Sequence, residues 1–152
     1  MGVNALITTE LAAEAMALAR AAPGREVCGL LLATANGRVL LRPVPNVASD
    51  PRRRFEIDPA ALLAAHRQER RGGPAIIGCY HSHPGGVAEP SAQDAADAEP
   101  NGWWWLIVGR DEARLWRAVP NGAAHGRFDP APLACIADAE SPQSALSEKE
   151  RR

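Results

Sequence analysis

Two histidines one residue apart, His81 and His83, are followed eight residues later by Ser91 and three further on by Asp94. Successive side chains of a strand alternate between faces, so His81 and His83 point the same way and can share one metal ion. Imidazole nitrogens suit zinc. Pro84 cannot donate to a sheet ladder, so the strand stops there, and Gly85 and Gly86 let the chain turn back. Ser91 and Asp94 then stand at i and i+3 in the first turn of a helix, on one face. Asp94 can supply a carboxylate as third ligand. Three protein ligands leave a fourth position open, which separates a catalytic zinc site from a closed structural one. Zinc lowers the pKa of bound water to about 7, and a carboxylate nearby is still needed to carry the proton to a leaving amine. Ser91 can donate a hydrogen bond to a developing oxyanion.

The elements that must position these groups follow from pattern and punctuation. Residues 3–8 read as a strand. Thr8 or Thr9 caps a helix reaching about Ala22, stopped by Pro23-Gly24. An apolar run over 26–34, the Asn36-Gly37 turn and residues 38–42 predict a hairpin. Residues 43–52 carry three prolines and predict a loop. A short edge strand is expected at 54–57. Asp58-Pro59 opens a helix to about Arg71. Residues 75–81 predict a buried strand, 84–90 a loop, and 91–99 a helix. Strands are expected at 103–109 and 113–119. From Pro120 the pattern weakens, and the residues from Ser141 read as a polar, poorly ordered tail whose removal leaves fold and activity intact. The expectation is an α/β domain with a mixed sheet flanked by helices over residues 1–120, with 121–152 as a C-terminal extension.

The whole segment from His81 to Asp94 resembles the signature of the JAMM (MPN-plus) metalloprotease family. That signature is an upstream glutamate, then His-x-His-Pro, seven residues after the second histidine, and Ser-x-x-Asp, and the match has no departure. The upstream glutamate falls on Glu26, at the head of Glu-Val-Cys-Gly-Leu-Leu. The likeness spans roughly residues 3–119. It implies the MPN fold, similar to cytidine deaminases, with one catalytic Zn2+ on His81, His83 and Asp94. It implies Glu26 as general base and acid and Ser91 as support for the tetrahedral intermediate. It also implies hydrolysis of the peptide or isopeptide bond after the C-terminal Gly-Gly of a ubiquitin-like or sulfur-carrier protein. By the same resemblance, residues 46–57 line the substrate groove.

Other residues carry less. Ser91 also reads as a plain helix cap. Glu10, Glu14, Glu56, Glu69 and Glu89 read as surface charges, and Asp97 as an exposed helix residue or a fourth oxygen near the metal. His66 and His125 read as structural or exposed. Trp103 and Trp105 are expected on one sheet face and Trp104 on the other, as packing. Arg52, Arg53 and Arg54, with Arg67, Arg70 and Arg71, form a basic cluster, a solvated face or a dock for an acidic ubiquitin-like partner. Cys28, Cys79 and Cys135 form no Cys-x-x-Cys pair and suggest neither disulfides nor a thiolate zinc site. The 152 residues carry a formal net charge of −1, which gives no general pull toward nucleic acid or anionic membranes. With neither leader nor membrane-spanning run in view, a cytoplasmic enzyme is expected. The alternative is a non-catalytic MPN scaffold, which typically lacks the ligands kept here. A nucleobase deaminase wants His-x-Glu and Pro-Cys-x-x-Cys, and this chain has neither. A DNA-repair branch is disfavoured by neutral charge and the lack of a helix-hairpin-helix segment.

Overall fold

The structure is a computed structural model that describes residues 6–134. Helix α1 (Thr9–Arg20) is followed by β1 (Cys28–Ala33), β2 (Val39–Val44), α2 (Pro59–Arg70), β3 (Ala75–Ser82) and α3 (Ala92–Asp97). Three further strands complete it: β4 (Trp104–Val108), β5 (Ala113–Gly122) and β6 (Gly126–Ala131). The six strands form one sheet in the order β2-β1-β3-β4-β5-β6. Only β3 and β4 run parallel, and the loop and helix α3 make the crossover between them. The sheet is mixed, as the sequence pattern predicts.

Local chemistry explains the boundaries. The Thr8 hydroxyl accepts the N–H of Leu11 and starts α1, with Glu10 at its positive end and Arg20 in its last turn. Asp58 caps α2, with Pro59 at its first position. α1 ends two residues before the expected Ala22, ahead of Pro23. The expected edge strand at 54–57 is reduced to a single bridge, Ile57 with Asn46. Residues 3–5 of the expected first strand lie outside the described residues. Thr8 makes a bridge with Ala134.

Alternation splits the core across the sheet. Leu11, Ala12 and Ala15 of α1 pack on Leu31, Tyr80, Leu106 and Leu115. The opposite face packs Leu30 and Leu32 with Ala65 of α2, and Cys79, Trp105, Ile107 and Phe128 with residues around α3. Trp103 and Trp105 lie on that second face and Trp104 on the first, as the period of two requires. Gly78 lets β3 and β4 meet, since a Cβ there would stand 1.9 Å from the Trp104 carbonyl oxygen.

The last expected strand, 113–119, is longer than its sequence pattern. β5 runs through Pro120 to Gly122, and β6 pairs back on it, with Phe128 fully buried. Pro120 and Asn121 resemble a strand end because the ladder is irregular there. The register shifts between Ala118 and Gly122, so Pro120 has no ladder hydrogen bond to donate. Residues 121–134, expected as the start of an extension, thus supply a sheet strand and its return to α1. The expected tail from Ser141, and Cys135, lie outside the described residues. Among the described residues no helix is long and apolar enough to cross a membrane.

The candidate metal centre

The site forms where β3 runs out. His81 belongs to β3 and pairs with Cys28 of the antiparallel β1. Continuing that register brings Glu26, two residues before Cys28, opposite His83. Sheet pairing therefore carries a glutamate distant in sequence to the two histidines. Ser82, between them, faces the other way, as alternation demands.

The loop 84–90 then returns Asp94 on the first turn of α3. Its Oδ2 accepts the N–H of Ser91, while the Ser91 hydroxyl accepts the N–H of Asp94. This reciprocal capping box fixes the carboxylate. The same Oδ2 lies 3.2 Å from Nε2 of His81 and 3.1 Å from Nε2 of His83. The two Nε2 atoms are 3.1 Å apart. Two nitrogens and one oxygen thus make a nearly equilateral triangle. Ligands about 2.0–2.1 Å from a tetrahedral zinc stand roughly 3.3 Å from one another, so these residues fit such an ion. One ligand atom each from Glu26, His81 and His83 also falls within a common 4.8 Å. That looser grouping puts the glutamate beside the cluster, while the tighter triangle runs through Asp94.

Each histidine is aimed differently. Nδ1 of His83 lies 2.9 Å from the Val87 carbonyl oxygen. When the ring is neutral, donating there places its one proton on Nδ1 and turns the Nε2 lone pair toward the cluster. His81 is fully buried, and its Nδ1 has no partner among the described residues. Its ring is held by packing instead, stacked on Phe55 at 4.2 Å between centroids and edge-on to Trp105 at 5.6 Å. The side chain of Glu26 is buried, and its Oε1 has no partner among the described residues.

The electrostatics follow from this packing. Burial, opposed by the positive charge of His83 and helped by the carboxylate of Asp94, raises the Glu26 carboxyl from 4.5 to about 7. Burial lowers His81 below its ordinary value, more than Asp94 lifts it. Burial would lower His83 too, but hydrogen bonds to Asp94 and the Val87 carbonyl outweigh it and raise it. Burial opposes the charge on Asp94, yet both histidines and the Ser91 N–H hold its carboxyl well below the usual range.

The five expected site residues are therefore gathered at one end of the sheet. Asp97 instead takes the Gln93 amide and the Arg54 guanidinium. Glu89 pairs with Arg114 at the surface. His66 is exposed. His125, also exposed, bonds the carbonyl of Pro90 and so steadies the residue before Ser91. Sequence reasoning missed three contributors: Phe55 over His81, the Asn46 amide on the Glu26 carbonyl, and the Ser82 hydroxyl on the Val27 N–H. Alternation signals that Ser82 faces away from the histidines. No spacing rule signals the other two.

The fold and the relatives of this chain are those of a JAMM-type isopeptidase. Residues 8–119 match the family described as prokaryotic homologs of the JAB domain, and the chain belongs to that family. A desampylase of Haloferax volcanii is 36% identical over 99 residues, covering 62% of this chain and 71% of the relative. A probable TtuB-protein conjugate cleaving protease of Thermus thermophilus is 37% identical over 83 residues, 53% of each chain. The chain thus spans about half the length of that second relative. Among solved structures, a protein from Desulfitobacterium hafniense superposes with a TM-score of 0.69 at 27% identity, over 86% of this chain and 91% of that one. A JAB1/MPN domain protein from Archaeoglobus fulgidus shares the fold, with a TM-score of 0.56 at 17% identity, over 89% and 100%.

Proposed function

We propose that this protein is a zinc-dependent isopeptidase that hydrolyses the bond after the C-terminal Gly-Gly of a ubiquitin-like or sulfur-carrier protein. The observation that carries the reading is the triangle of His81, His83 and Asp94, whose 3.1–3.2 Å edges suit one small cation. These three residues would hold the metal. Bound zinc supplies Lewis acidity, which acidifies water and polarises a carbonyl. Glu26 takes the proton of the attacking water and returns it to the leaving amine. Its carboxylate is carried beside the two histidines by the sheet register, which suits it to that transfer. Ser91 accepts the Asp94 N–H, which leaves its own hydroxyl proton to donate to the developing oxyanion.

The substrate class is supported by the relatives whose names specify desampylation and cleavage of TtuB conjugates. A diglycine end is the segment that fits beside a crowded metal, because it brings no side chain. Arg52 and Arg53 are exposed on the loop whose Pro51 carbonyl receives the Glu26 N–H, and suit an acidic carrier. The test uses a ubiquitin-fold carrier ending in Gly-Gly, fused to a reporter peptide, with mass spectrometry of the products. Cleavage after the second glycine by the zinc-loaded parent, and none by Glu26→Gln, is the expected result. Cleavage elsewhere, or none by the parent across archaeal and bacterial carriers, would sink the reading.

A further inference from the structure

Glu26 is not part of a strand. β1 begins at Cys28, so the peptide joining Glu26 to Val27 lies just past the regular ladder. Both polar ends of that peptide nevertheless have partners, and both partners are side chains. The carbonyl of Glu26 accepts a hydrogen bond from the Asn46 amide at 2.9 Å. The N–H of Val27 donates to the Ser82 hydroxyl at 2.9 Å. The preceding N–H, that of Glu26 itself, goes to the Pro51 carbonyl at 2.7 Å.

Neither side chain is spare. Asn46 uses its whole amide: its other donation goes to the Arg54 carbonyl, and its oxygen accepts from Ala48 and Glu56. It therefore ties Glu26 to the loop that lays Phe55 on His81. Ser82 is buried between the two histidines, and its own N–H returns to the Val27 carbonyl at 3.0 Å. One grip thus comes from the loop after β2 and the other from the strand that bears the histidines.

We infer that Asn46 and Ser82 are positioning residues that clamp the Glu26–Val27 peptide and so fix the base relative to the metal ligands. The carboxylate has no such restraint of its own, since Oε1 is buried without a partner among the described residues. Its aim is set through the backbone. The inference rests on the role proposed for Glu26.

The test compares Ser82→Ala and Asn46→Asp with the parent, all as the full chain. Asn46→Asp keeps the acceptor for Ala48 and Glu56 but removes both donations. Three readings are taken: amide hydrogen exchange, zinc affinity by chelator competition, and kcat and KM on a peptide ending in Gly-Gly-aminocoumarin. In Ser82→Ala the Val27 amide is expected to exchange about tenfold faster, the loss of one hydrogen bond, with Leu31 protection unchanged. In Asn46→Asp, Ala48 and Glu56 keep their protection. Both variants are expected to lose roughly 10- to 100-fold in kcat, the scale of a small misplacement, with KM and zinc affinity within about threefold of the parent. Faster exchange throughout the sheet, or a fall in zinc affinity matching that in kcat, would show general structural damage and overturn the clamp. So would parent-like kcat in both variants. If the parent leaves the peptide uncleaved, the proposed activity falls. The clamp is then judged by Val27 exchange in Ser82→Ala, where unchanged protection rejects it.

Discussion

The two halves of the proposed site, the ligands and the base, are built on opposite plans. The ligand half is held together by its own side chains: Asp94 touches both histidines, its helix cap fixes Asp94, and the Val87 carbonyl fixes His83. The base half is a carboxyl whose Oε1 has no partner among the described residues, and its backbone is held by the Asn46 amide. The first plan suits groups that must stay put around an ion. The second suits a group that must gain and lose a proton, because a permanent partner would hold it in one state.

The sharpest way to break this comparison is Glu26→Gln. The ligand half should remain intact, with zinc affinity within about threefold of the parent, while turnover falls by 10²–10⁴, the usual worth of a general base. Equal loss of zinc and turnover, by chelator competition and steady-state kinetics, would make Glu26 a ligand instead. Ser91→Ala comes next. It should lower turnover by about 10²-fold through the oxyanion and cost about 1 kcal/mol of stability through the lost cap. A stability loss with unchanged kcat would reduce Ser91 to a capping role. Phe55→Ala removes the ring over His81 and should weaken zinc binding by about tenfold, the scale of outer contacts to a metal ligand. Unchanged affinity would show that Trp105 alone holds His81.

The smallest effect is a pH dependence in the metal-free protein. Glu26 has a folded pKa of about 7 against 4.5 unfolded, so the folded state binds the proton more tightly. Its contribution to stability is present below 4.5 and is lost as pH rises through 7. Glu26→Gln should therefore unfold at higher denaturant than the parent above pH 7, with the gain vanishing near pH 4.5. A gain independent of pH would mean that Glu26 is not the group being titrated.

The convergence of the proposed ligands was legible in the sequence because their spacing is local. The strand period aligns His81 with His83, and one helical turn aligns Ser91 with Asp94. Glu26 needed a family resemblance, since only the β1–β3 register brings it there. Asn46 was hidden because a proline-rich loop has no periodicity to read, and Phe55 because the edge strand expected around it is reduced to a single bridge at Ile57. The strand end expected at 119 falls short for a related reason: Pro120 sits where the ladder is irregular, so a breaker residue lies within a strand. Replacing the buried Phe128 with alanine should cost about 3–5 kcal/mol, as a core position would.

The most direct measurement is zinc per chain by elemental analysis, on the parent and on His83→Ala. The three-ligand account predicts about one zinc in the parent and a sharp fall in the variant. A parent that takes up no zinc even after refolding with the metal, or a His83→Ala protein that keeps it, would contradict the account.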